Sequence, residues 1–251
     1  MLSILCVAAL AFATVSGLPD QRIIGGAETT IDKFPYAVAI LSSSDGTQFV
    51  QTCGGTIINN RAILSAARCY YGLTSSWQAR AGSSFANSGG NVYNIGQVFI
   101  NPSYDFVGGD SDLAILHVTL AFGNNVQPAR VGGANYVLGD DVSVTTFGWG
   151  EIEYDGQKSE QLRSVEIWTV NQETCRTNYN IISITITPNM MCAGYLGVGG
   201  RDFCPGDVGG PLLHNDVIVG VASLGTGCGY ADYPGVYARV APHVDWIVST
   251  A

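Results

Sequence analysis

The sequence is short of charge, and of lysine above all. Of 251 residues only 12% are charged, and two, Lys33 and Lys158, are lysines. There is no basic run, and the formal net charge is -9. The clustered Lys and Arg that neutralise phosphates are therefore missing, which excludes nucleic acid as an expected partner. Histidine is scarce as well: His117, His214 and His243 are all there is. No Cys or His pair stands at the close spacing a zinc site uses, so neither a metal nor a cofactor is expected. No Asn-x-Ser/Thr acceptor occurs, which argues against N-glycosylation. Beyond the first 16 residues no long apolar run recurs, so no membrane span is expected.

What is present is apolar and turn-rich. Hydrophobic residues make up 47% of the chain and glycine occurs 32 times. Such a chain buries a core and turns often. Its length suits one large all-β domain or two smaller ones. Residues 2–16, LSILCVAALAFATVS, form one apolar run ahead of small residues at 15–17. This reads as a signal peptide over residues 1–17 and predicts an extracellular protein. Six cysteines then remain, Cys53, Cys69, Cys175, Cys192, Cys204 and Cys228. An even number in a secreted chain implies three disulfides, and their spacing does not choose the pairing.

Short runs rich in Val, Ile, Tyr and Thr recur between Gly, Asn, Asp and Pro. They span residues 36–40, 56–58, 62–65, 92–100, 113–118, 142–147, 162–170, 217–223 and 235–240. That pattern predicts an all-β barrel or sandwich. Two helices are expected: one capped by Asn171 and running through Asn178, and one begun by Pro242 that carries Trp246, Ile247 and Val248. The stretch Gly132-Gly133-Ala134-Asn135 is the candidate seam between two halves.

Several local sequences then fall in order: RIIGG (22–26), CGGTIINNRAILSAARC (53–69), DSDLAIL (110–116), DFCPGDVGGPL (202–212), GVASLGTGC (220–228) and PGVYARV (234–240). Together they resemble the trypsin-like, chymotrypsin-fold serine protease family, and insect gut trypsins in particular. The resemblance implies two six-stranded antiparallel barrels with the site in the cleft between them, and a short C-terminal helix. It implies a leader over residues 18–22, a protease domain over 23–251, and pairings Cys53–Cys69, Cys175–Cys192 and Cys204–Cys228. Cleavage after Arg22 would free Ile23, whose amino group would pair with Asp207. Asp202 falls where the family places the aspartate of the primary pocket, with Ser223, Gly225 and Gly235 along its walls. The N–H groups of Gly206 and Val208 correspond to the oxyanion hole. Residues 81–91, where vertebrate trypsins hold calcium, contain no acidic residue.

The triad positions depart from the family. Asp112 is kept, but Arg68 stands in place of the histidine and Val208 in place of the serine. Valine has no nucleophilic atom, and arginine has only donors and stays protonated. Arg68 is expected either to pair with Asp112 or to point into solvent. Leu224 replaces an aromatic wall residue, and Pro205 stiffens the rim. These departures put first a secreted, non-catalytic, monomeric homologue that binds a basic peptide, a protease inhibitor or an active protease without cleaving. An active endopeptidase cutting after Arg or Lys stands second, and a structural or storage protein third.

Overall fold

The computed structural model describes residues 25–71 and 76–251. The expected signal peptide, leader, Arg22 and Ile23 lie outside the described residues. After the short strand β1 (Ala27–Glu28) come β2 (Ala37–Ser43), β3 (Val50–Ile57), β4 (Ala62–Ser65), β5 (Ser76–Ala81), β6 (Asn91–Ile100) and β7 (Ala114–Val118). Strands β2 to β7 close into an antiparallel barrel in the order β2-β3-β4-β7-β6-β5. Ile40, Ile57, Ile63, Leu64, Ile115 and Leu116 are fully buried in its core. Branched side chains of this kind fit a pleated, buried surface, and closure leaves no unpaired edge.

The second half holds β8 (Arg130–Val131), β9 (Ser143–Gly148), β10 (Arg163–Val170), β11 (Met190–Gly194), β12 (Pro211–His214), β13 (Val217–Leu224) and β14 (Gly235–Arg239). Six of these form the ring β9-β10-β11-β14-β13-β12, closed by the pairing of β12 with β9. Strand β1 extends it beside β10, and β8 lies parallel to β13. Its core contains Val144, Val165, Ile167, Met191, Leu212, Val219 and Tyr237. The two expected six-stranded barrels are thus present.

The crossing between barrels comes before the expected seam. The Ala129 N–H still donates to Ile57 in the first barrel, whereas Arg130 already pairs with Val217 in the second. Glycines at 132 and 133 mark a turn after the crossing and not the crossing itself. Helix α1 (Gln172–Ile181) is capped by Asn171, whose side chain accepts from the Glu173 and Thr174 N–H groups. It runs three residues past the expected end. Pro242 sits in a 3-10 turn, Ala241–His243, that leads into helix α2 (Val244–Thr250). Among the described residues no helix is long and apolar enough to cross a membrane.

The three disulfides join the pairs that the family resemblance implied. Cys53–Cys69 ties β3 to the turn that carries Arg68. Cys204–Cys228 ties the Val208 turn to the segment after β13, and Cys175–Cys192 ties α1 to β11. Cross-links over loops of this length each stabilise a fold by about 3 kcal/mol in the chain-entropy account.

Candidate active site

The site is assembled from turns at the ends of both barrels. Arg68 lies in a 3-10 turn, Ala67–Cys69, after β4. Asp112 lies two residues ahead of β7, next to Ser111, which holds a left-handed φ of 54°. Val208 stands in the turn before β12, and Ser223 lies near the end of β13. No sequence-local contact links these four positions. Only barrel closure and the docking of one barrel on the other bring them together.

Asp112 is completely buried and accepts three hydrogen bonds. Its Oδ1 takes the Arg68 backbone N–H at 2.8 Å. Its Oδ2 takes Arg68 Nε at 2.5 Å and Ser223 Oγ at 2.6 Å. Of the two expectations for Arg68, the pair with Asp112 is the one formed, and the arginine side chain keeps 30% of its surface in solvent. A buried carboxylate needs a partner because desolvation is expensive, and a guanidinium supplies both charge and donors.

The Val208 turn is rigid. The Val208 carbonyl accepts from Gly54 N–H at 2.8 Å, and its side chain packs against the cores of both barrels. Gly209, at φ 89°, has to be glycine: a Cβ there would lie 2.3 Å from Ser65 Oγ and 2.5 Å from the Gly54 carbonyl. Among the described residues the N–H groups of Gly206 and Val208 have no acceptor, while the intervening Asp207 N–H is bonded to Cys204 O. Two donors are therefore left for a ligand.

Asp207 is buried beneath this turn. It accepts from Gly150 N–H at 2.6 Å and Cys204 N–H at 3.1 Å, and burial raises its pKa to about 6. Lys158, which sequence reading counted only as one of two lysines, sits below the same turn. Its Nζ donates to Gln51 O, and Gln51 Nε2 in turn donates to Gly206 O.

The open cleft is a cavity of about 400 Å³. Arg68, Gly206, Val208, Leu224 and Gly225 line it, together with Phe203. Asp202 does not reach this surface and is 3% exposed. Its carboxylate accepts from Phe203 N–H and Gly229 N–H, and burial pushes its pKa up to about 8. A Cβ on Gly235 would lie 2.3 Å from Asp202 Oδ1 and 2.7 Å from the Phe203 ring, so carboxylate, ring and glycine meet at one point. Phe203 was missed by sequence reasoning. The available signal was a bulky aromatic directly after Asp202.

The role that the family resemblance implies for Asp202 yields a pH prediction. A cation binds the ionised carboxylate, and a pKa near 8 leaves Asp202 largely protonated at lower pH. Affinity for benzamidine should rise about tenfold per pH unit up to about 8 and then level off. Calorimetry between pH 5 and 10 reads this, and Asp202→Asn should flatten the curve. A pH-independent affinity in the native chain would refute it.

The three histidines lie elsewhere. His117 bonds Thr250 O, His214 bonds the Tyr136 hydroxyl, and His243 contacts Asn101. None of them lines the cleft. Among the described residues no cluster of three or more His, Cys, Asp or Glu could hold a metal ion.

Two closed barrels, three cross-links and a cleft at their junction define the chymotrypsin-type fold. The model of the family described as Trypsin matches residues 23–247. "Trypsin, alkaline C" of Manduca sexta is 52% identical over 248 residues, covering 97% of both chains. "Trypsin CFT-1" of Choristoneura fumiferana is 49% identical and covers 98% of each. "Achelase-1" of Lonomia achelous is 44% identical over 80% of this chain and 95% of its own. The chain belongs to the trypsin family.

These relatives correct the expectation that ranked a non-catalytic homologue first. Proteins matching nearly the full length at about half identity are named trypsins, which favours the active, trypsin-like reading ranked second. That expectation rested on Arg68 and Val208 at the triad positions, with Leu224 and Pro205 at the cleft wall and rim. Oxyanion donors and substrate binding still accelerate hydrolysis about 10³–10⁴-fold over water after a triad member is lost, so a missing triad side chain is not equivalent to no catalysis.

Proposed function

We propose that this protein is an extracellular trypsin-like endopeptidase directed at the bond after Arg or Lys. The observation that carries the reading is the pair of N–H donors without acceptors among the described residues, Gly206 and Val208, in a cleft lined by Phe203, the neighbour in sequence of buried Asp202. A peptide carbonyl seated on those donors is polarised where negative charge develops. Asp202 selects a basic side chain by charge where the Phe203 ring, which lies between Gly235 and the cleft lining, gives way beside Gly225. Peptides and protease inhibitors that present Arg or Lys are the partners this pocket suits. Three disulfides and the signal-like N-terminal run support an extracellular setting such as a gut lumen.

The chemistry at the triad positions sets the rate. Val208 offers no hydroxyl, so no acyl-enzyme forms at this turn. Arg68 donates and cannot take a proton, so it does not act as a general base toward the nucleophile. Water is the attacking group: it adds to the carbonyl carbon and gives its proton to solvent, and the leaving alkoxide or amine takes one up from solvent as the acyl bond breaks. Turnover should exceed the uncatalysed reaction by about 10³–10⁴-fold, the residue left by positioning and oxyanion donors.

The Arg22-cleaved protein should hydrolyse a benzoyl-arginine ester saturably, with competition by benzamidine. A serine-directed sulfonyl fluoride should leave this rate intact, which separates it from traces of an ordinary serine protease. Hydrolysis no faster than in buffer would overturn the proposal.

A further inference from the structure

The guanidinium of Arg68 is only half used. Its Nε, with the backbone N–H of the same residue, holds Asp112. Among the described residues Nη1 and Nη2 have no acceptor, and the side chain lines the cleft. Its position is constrained as well as tethered. A Cβ on Gly109 would lie 2.7 Å from Nη2 and 2.7 Å from Leu224 Cδ2, so the guanidinium sits against the Gly109 backbone with the Leu224 side chain beside it. The same cavity is lined by Gly206 and Val208, whose N–H groups are also without acceptors. A planar cationic fork and two backbone donors therefore share one cleft, and among the described residues no carboxylate other than Asp112 is paired with the fork.

We propose that this cleft binds the free C-terminal carboxylate of a peptide, with one oxygen on the Gly206 and Val208 N–H groups and the other on Arg68. A guanidinium adds charge to the hydrogen bonds it donates to a carboxylate oxygen, and the two backbone N–H groups hold the second oxygen. An internal peptide bond or an ester offers one neutral carbonyl and gains little from the second donor set. The cleft thus favours the acid released by cleavage over the bond that is cleaved, and the protein retains peptides ending in Arg or Lys. The basic side chain is taken from the proposed function; the carboxylate half stands on Arg68 and the two N–H groups alone.

The test is calorimetric titration of the Arg22-cleaved protein with acetyl-Ala-Ala-Arg as the free acid and as the carboxamide. The acid should bind about 10–100-fold more tightly, the range expected for hydrogen bonds to a charged group. In Arg68→Gln the ratio should fall toward one. Arg68→His, which keeps a donor for Asp112, should lower the ratio in the same direction and covers the case in which the glutamine variant does not fold. Equal affinities for acid and carboxamide in the native chain would overturn the inference, as would a preference that survives both substitutions. Acetyl-Ala-Ala-Leu as the free acid separates the two proposals. If it binds as well as the arginine acid, the Asp202 pocket reading fails and the carboxylate site stands.

Discussion

Arg68→His combined with Val208→Ser should raise kcat/KM on an arginine ester by about 10⁵–10⁶-fold, while either change alone should give little. The magnitude follows from a protease of another fold, where loss of the serine or the histidine alone lowered kcat by about 10⁶ and removing all three cost little more. Triad members act as a unit, so restoring one without the other recovers almost nothing. The scaffold for the repair is in place. Asp112 is already buried, aligned by the residue 68 backbone N–H and by Ser223 Oγ, and open to a third donor where Arg68 Nε now sits. The Val208 N–H lacks an acceptor among the described residues, as an oxyanion donor should. Serine at 208 gives up apolar contact with both barrel cores, a loss of roughly 1–2 kcal/mol that a cross-linked domain tolerates. Steady-state kinetics of the two single variants and the double variant measure the coupling directly. A double variant no faster than the parent would locate the obstruction at Phe203, Leu224 or Pro205, which line the same cleft.

The second large effect concerns stability. Arg68→Ala should destabilise the fold by about 3 kcal/mol, because it strips the counter-charge from a carboxylate with no surface of its own in solvent. For a domain of this size that corresponds to a fall in Tm of roughly 6–12 °C. The cost is that of an abandoned buried charge, and not the worth of a surface ion pair. Asp112→Asn should therefore rescue much of it: the double variant Arg68→Ala with Asp112→Asn should be more stable than Arg68→Ala alone. Denaturant unfolding of the two single variants and the double variant supplies the cycle. A loss below about 1 kcal/mol for Arg68→Ala would mean that water satisfies Asp112 once the guanidinium is gone.

The pairing of Arg68 with Asp112 also accounts for how the triad position accepts so different a side chain. A histidine there would orient its ring on the same carboxylate. Arginine reaches the carboxylate with Nε and leaves its outer edge toward the cleft. The structural requirement at position 68 is a donor to Asp112, and the catalytic requirement is a proton acceptor facing the nucleophile. Arginine meets the first and not the second.

The sequence by itself determined the all-β class, most strands and both helices. Runs such as residues 92–100 and 162–170 alternate or cluster branched residues, and the Asn171 cap acts through a local side-chain bond, so these signals are carried within a few neighbouring residues. The strands it did not mark are the two-residue β1 and β8, too short to carry a pattern, and β5 (SWQARA), β11 (MMCAG) and β12 (PLLH), where small residues, methionine and an initial proline dilute it. The last three are strands because neighbours on both sides complete their hydrogen bonding once the barrels close. The triad positions were legible only through resemblance to a family. Which way Arg68 turned, how far Asp202 lies behind Phe203, and where the chain crosses between barrels were decided by tertiary structure. Each depends on groups tens to more than a hundred residues apart, such as Ser223 on Asp112 and Arg130 beside Val217, and no local pattern encodes a distance between them.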